Sequence, residues 1–241
     1  MAKTFRFISG LLLLPFIAAE ALAIFGLVPD AFVPDFPFFS GEIVAFMAGM
    51  ALWCAISWRI DVNNWFYVFG HELTHAAWAT LTFSKVSKIS VTSKGGYCLI
   101  NNPGPLTTLS PYFIPFYVVI LLLIRLLLGI WFDMAPYARW WLGALGFAYA
   151  FHVTNTISSL VKVAQPDIRA YGRFFSCVFI VVVNLLILGF GMATMTTTPM
   201  REWLGGLANA SCCAYDATWS FIVRAAIAAF NAITNLVGKI Q

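Results

Sequence analysis

Apolar residues fall along this chain in blocks of about 20, separated by short polar or proline-containing breaks. A helix rises about 1.5 Å per residue, so each block is long enough to cross a hydrocarbon layer of roughly 30 Å. Six such helices are predicted, from about Phe7 to Val28, Glu42 to Trp58, Asn64 to Phe83, Pro111 to Phe132, Tyr137 to Val161 and Gly172 to Met195. Pro29, Pro34 and Pro37 mark a loop after the first. The opening Met1-Ala-Lys-Thr-Phe-Arg followed by an apolar run is signal-like, but the run continues past Glu20 without a small-residue cleavage site. It therefore reads as a retained first helix. Residues 1–200 form one predicted transmembrane domain, with no internal repeat or low-complexity linker. The tail from Arg201 to Gln241 mixes small, apolar and polar residues. It is expected to form an interfacial amphipathic helix, with Trp219 to Ile240 the best candidate, or a poorer seventh span.

Composition agrees with that pattern. The chain is 61% hydrophobic and 10% charged, against about 25% charged residues in a soluble domain. The fold class expected is an all-α polytopic membrane protein with a lipid bilayer as its surroundings. The net charge of +4 is scattered and gives no basis for a nucleic-acid partner. If all six helices span, the loops at Lys85–Lys94 and Lys162–Arg173 share a side and carry the most positive charge, which puts them in the cytoplasm. Lys3 and Arg6 then fall on the other side, so the rule orients the two loops together better than it orients the chain. The five cysteines, Cys54, Cys98, Cys177, Cys212 and Cys213, form no Cys-x-x-Cys pair and read as unpaired core thiols. Glu20 and Arg125 lie inside apolar blocks, where an unpaired charge is costly. Pairing with each other, with Glu42 or with Asp133 is expected. Trp131, Tyr137, Trp140 and Trp141 read as an interfacial aromatic belt.

One polar stretch interrupts the apolar blocks, Ser84 to Asn102. Val86, Ile89, Val91, Tyr97 and Leu99 have strand character around Lys94-Gly95-Gly96, which predicts a small β-hairpin. Asn101-Asn102-Pro103-Gly104-Pro105 then breaks regular structure before the fourth helix.

The third helix carries His71-Glu72-Leu73-Thr74-His75. On a helix the two histidines are four residues apart, so both imidazoles leave one face and can hold one Zn²⁺. Glu72 follows the first ligand and can take a proton from water at the metal, which is the chemistry of the HExxH metallopeptidase motif. Only three histidines occur in the chain, and the motif uses two.

Gly70-His71-Glu72-Leu73-Thr74-His75-Ala76, followed by Lys85-Val-Ser-Lys-Ile-Ser-Val-Thr-Ser-Lys-Gly-Gly-Tyr97, resembles the site-2-protease class of intramembrane zinc metallopeptidases. The nearest likeness is to the compact bacterial M50B-like branch of the M50 family, over roughly residues 60 to 190. The resemblance implies a multi-pass protein of the bacterial inner membrane, a Zn²⁺ cofactor and a transmembrane protein as substrate. It implies Glu72 as general base, and says nothing of oligomeric state. The Leu-Asp-Gly motif that supplies the third ligand in that family is absent. The acidic residue in the corresponding region is Asp167, in Gln165-Pro166-Asp167-Ile168.

A catalytic zinc needs three protein ligands and one open position. After the HExxH helix the candidates are Asp167, His152 and Asp133. Asp167 follows a proline at the entry to the sixth helix, where a helix N-terminus favours an anion. The alternative is a helix cap or a partner for Arg169 or Arg173. His152 shares a helical face with Thr156 and Ser159. It is a candidate ligand, or a catalytic residue that donates to the substrate carbonyl oxygen. Asn155 is a weaker candidate for that donor role. The hairpin edge could take a locally unwound substrate as an added strand. Two other readings of the same residues are a non-proteolytic membrane scaffold and a metal-handling transporter.

Overall fold

Helices account for most of this chain because the apolar blocks satisfy their own backbone hydrogen bonds wherever water is scarce. The computed structural model describes residues 2–31, 41–59, 64–92, 95–162, 165–195 and 198–238. Pro34, Pro37 and Lys94 lie outside them. The elements in order are α1 (Ala2–Ala31), α2 (Gly41–Arg59), α3 (Asn64–Leu81), β1 (Val86–Thr92), β2 (Gly95–Ile100), α4 (Pro105–Leu109), α5 (Phe116–Leu128), α6 (Ala138–Lys162), α7 (Pro166–Tyr171), α8 (Arg173–Met195) and α9 (Met200–Gly238). Short 3₁₀ turns at Ser110–Tyr112 and Ala135–Tyr137 precede α5 and α6.

Four of the described helices are long and apolar enough to cross a membrane, over Lys3–Leu27, Gly41–Trp58, Arg173–Ala193 and Met200–Thr234. The fourth block of the sequence is a broken segment instead. Pro105–Tyr112 and Phe116–Leu128 meet at 82°. The break falls at Phe113–Pro115, where Pro115 cannot donate a backbone hydrogen bond and restrains the residue before it. Neither α3 nor α6 is among the four. Their histidines, asparagines, serines and threonines lower the mean hydropathy of segments that are otherwise long enough.

The chain divides into two compact units, residues 1–36 with 181–241, and residues 37–180. In the first, α9 runs along α1. Trp203 and Leu207 of α9 bury against Leu27 and Ala193, with Phe16 and Ala23 packed at the edge. The Tyr215 hydroxyl donates to the Leu12 carbonyl at 2.7 Å. The tail is one continuous helix from Met200 to Gly238, starting well before the predicted Trp219. Glu20 is buried here, and neither carboxylate oxygen has a hydrogen-bond partner among the described residues.

In the second unit, α2 lies along α6. The approach is close because glycines face backbone. A Cβ at Gly146 would strike the Phe46 carbonyl, and one at Gly49 would strike the Gly143 carbonyl. Backbone cannot swing aside as a side-chain tip can, and overpacking ordinarily costs about 1–3 kcal/mol. Gly146→Leu is therefore expected to lower stability by about 3 kcal/mol in denaturant titration of micellar protein. Gly143→Ala should change it by less than about 0.5 kcal/mol, because the Ala45 carbonyl stands 3.4 Å from its Cβ position.

The hairpin forms where the sequence expects it. β1 and β2 pair antiparallel, from Val86 opposite Ile100 to Thr92 opposite Gly95, with an irregularity between Val86 and Lys88. Both strands pack on α3. Two expectations need correction. Glu42 faces Arg139 at 3.9 Å, not Glu20 or Arg125, and Asp133 Oδ1 accepts from the Ala135 backbone N–H at 3.0 Å. All five cysteines are free, but none is in the core: Cys54, Cys212 and Cys213 are exposed, Cys98 and Cys177 half-buried. Of the four aromatic residues expected at an interface, Trp131, Tyr137 and Trp140 are exposed and Trp141 is half-buried.

Candidate metal centre

α3 is helical through the motif, so His71 and His75 stack one turn apart, with ring centroids 4.9 Å from each other. Both are buried, as is Glu72 between them. His75 Nδ1 lies 3.0 Å from the Thr107 carbonyl of α4. A carbonyl only accepts, so Nδ1 carries a proton; Nε2, at the front of the site, donates to Asp167 when the ring is protonated and offers its lone pair to a metal when it is neutral. The Ser110 hydroxyl donates to the same carbonyl at 2.9 Å and fixes it in place.

Asp167 arrives from α7, 96 residues after His71. Pro166 suits the first turn of that helix, where its missing N–H costs nothing. Asp167 Oδ2 stands 3.0 Å from His71 Nε2, 3.4 Å from His75 Nε2 and 3.2 Å from the Tyr112 hydroxyl. Burial alone would raise the Asp167 carboxyl; the hydrogen bonds from His71 and His75 and their charge outweigh it and hold the group well below the usual carboxylate range. It therefore offers an anion at neutral pH. α7 has no side-chain cap hydrogen bond, and among the described residues the ion-pair partners of Asp167 are His71 and His75, while Arg173 donates to the Leu160 carbonyl at 3.2 Å.

The donor set can be compared with a tetrahedral zinc. Bonds of about 2.0–2.1 Å place ligand atoms roughly 3.3 Å apart. The carboxylate oxygen is 3.0 and 3.4 Å from the two imidazole nitrogens, and all three candidate ligand atoms lie within 4.8 Å of one another. Two neutral imidazoles and one carboxylate, brought to that spacing and partly dry, fit a divalent ion. Among the described residues no other cluster of three histidine, cysteine or acidic side chains does so.

In front of the cluster is a cleft of about 910 Å³. One wall is α3 with His71, Glu72 and His75; the other is β2, and Asp167 closes one end. Gly96 is required where β2 comes nearest α3. A Cβ there would lie 2.6 Å from Val68 Cγ1 and 2.8 Å from Glu72 Cγ. A side chain at position 96 would push the strand or the glutamate out of the cleft. Cys98 also lines this wall. Burial and the nearby Glu72 push its thiol up to about 11, so it is protonated at neutral pH.

His71, Glu72, His75 and Asp167 are thus brought together. His152, Asn155 and Asp133 are not in the cluster. His152 is absent from the cleft lining and faces a separate small cavity behind His71. Asn155 is turned to its own helix, donating to the Phe151 carbonyl at 2.7 Å. Asp133 is exposed in a turn.

Two residues at the site had no sequence signal. Thr107 contributes only a carbonyl, which any residue has. Tyr112 reads as the start of an apolar block, yet it is fully buried and donates to Asp167. Partners of metal ligands typically contribute 10–100-fold in metal affinity. Tyr112→Phe keeps the ring and removes the donor, and is expected to weaken zinc binding about 10-fold in chelator competition. No protein-family model, curated protein or solved structure matches this chain.

Proposed function

We propose that this chain is an intramembrane zinc metallopeptidase that hydrolyses a peptide bond in or near a transmembrane segment of another membrane protein. The observation that carries the reading is the meeting of Asp167 with both histidines of the HExxH helix at ligand spacing. The four long apolar helices support a membrane setting. In this reading α3, the bent α4–α5 segment and α6 also lie at membrane depth, giving a multi-pass protein whose polar residues face the cleft and one another.

His71, His75 and Asp167 would hold the metal, through imidazole nitrogens and a carboxylate oxygen. When bound, zinc polarises a carbonyl and makes water acidic enough to ionise near neutral pH. Glu72 Oε accepts the proton of the attacking water and passes it to the departing amide nitrogen. The cleft wall at β2 receives substrate as an extended strand. A peptide bond in a helix is shielded and its carbonyl is tied into the helical ladder, so cleavage requires local unwinding.

Metal analysis of detergent-purified protein, with cleavage of a fluorogenic transmembrane reporter, tests the reading. About one zinc per chain is expected, with cleavage that a chelator stops and added zinc restores. A well-folded protein that takes up no zinc even when supplied would sink it.

A further inference from the structure

The back of the metal cluster carries two buried polar atoms with no role so far. His71 points Nε2 at Asp167; its other nitrogen, Nδ1, is buried with no hydrogen-bond partner among the described residues. A metal-ligating imidazole almost always gives that second nitrogen to a carbonyl, carboxylate or water. His75 follows the rule with Thr107, and His71 has no such group among the described residues. His152 Nε2 is buried and equally without a partner.

Both histidines line the same cavity, of about 20 Å³, between Tyr67 and Thr74 of α3, Pro111, and Phe151 of α6. One water needs roughly 10–15 Å³ of such space together with polar partners. This cavity is large enough for one molecule, and each of the two histidines lining it has a buried imidazole nitrogen without a hydrogen-bond partner among the described residues. The register is fixed independently. Tyr67, one turn before His71, bonds Ser159 of α6 at 2.7 Å, and Ser159 lies two turns beyond His152 on the same face.

We propose that one water in this cavity hydrogen-bonds His71 Nδ1 and His152 Nε2 together, making His152 a positioning residue for the metal ligand. With a metal on Nε2, His71 Nδ1 would keep its proton and donate to the water, which donates to His152 Nε2; without metal, His71 Nε2–H donates to Asp167 and the water donates to both His71 Nδ1 and His152 Nε2. The bridge fixes both the tautomer and the ring orientation of His71 from behind. Its consequence for metal binding rests on the zinc reading above; the bridge itself does not.

The chain has three histidines, so the ¹⁵N imidazole spectrum of histidine-labelled protein in micelles is assignable by single substitutions. His152→Phe fills the site and removes the bond, whereas the His152→Gln amide can take up the same water. In metal-free protein, His152→Phe is expected to move the His71 Nδ1 resonance and leave His75 in place. Zinc affinity should fall about 10–100-fold, and His152→Gln should recover it to within roughly 3-fold. An unmoved His71 resonance in His152→Phe overturns the proposal. So does equal loss of zinc in both variants with His71 and His75 shifting together, which marks general loosening. If the wild type binds no zinc, the metallopeptidase reading falls, and the His71 shift in metal-free protein still decides the bridge.

Discussion

Asp167→Ala is expected to lower zinc affinity by more than about 100-fold, a larger loss than removal of any hydrogen-bond partner of a ligand produces. The carboxylate is the only anion in the cluster and bridges two imidazoles 3.0 and 3.4 Å away. Without it His71 and His75 remain on α3 as a two-nitrogen site lacking a counter-charge. The substitution also removes the hydrogen bond that the buried Tyr112 hydroxyl donates to this carboxylate, at a cost of about 1.5–3 kcal/mol. Metal content must therefore be read beside helical circular dichroism. The double variant Asp167→Ala with Tyr112→Phe removes both partners and should regain part of that stability without regaining zinc. Wild-type zinc content in Asp167→Ala would eliminate it as the third ligand.

The second large effect separates chemistry from binding. Glu72→Gln is expected to keep zinc at the wild-type level while cleavage falls by about 10²–10⁴, the usual contribution of a general base. Glutamine has nearly the same shape, so the packing of this side chain beside Gly96 is preserved. An amide cannot accept the proton of the attacking water, and Glu72 is not among the three proposed zinc ligands. Matched samples assayed for bound zinc and for reporter cleavage decide the matter. Cleavage near the wild-type rate would remove Glu72 from the mechanism; loss of zinc along with cleavage would make it structural.

How much of the site could be read in advance follows from the range of each interaction. The pairing of His71 with His75 is one helical turn, and Glu72 is their neighbour, so the motif was legible from spacing alone. The hairpin was legible too, because strand-forming residues flank a glycine pair. Asp167 could be nominated as the acidic residue near the expected place, but not chosen over His152. That choice depends on where α7 sits, 92–96 residues downstream of the two histidines. Tyr112 and Thr107 had no signature, because they act through a hydroxyl and a carbonyl that matter only once elements meet; Gly96 was legible as part of the hairpin's glycine pair but not for its closeness to Glu72.

The helices divide along the same line. Hydropathy finds an apolar block wherever one exists, and by itself this sequence determined a helical, membrane-suited chain carrying a HExxH pair and a hairpin after it. It did not show that the fourth block breaks by 82°, or that the tail continues as one helix against α1. It did not show that His152 turns to a cavity behind His71 instead of to the cleft. Those outcomes were decided by tertiary structure. Composition and period constrain neighbours within a turn or two, whereas the approach of distant helices is fixed by shape, by glycines that admit a backbone, and by buried polar atoms that must find partners.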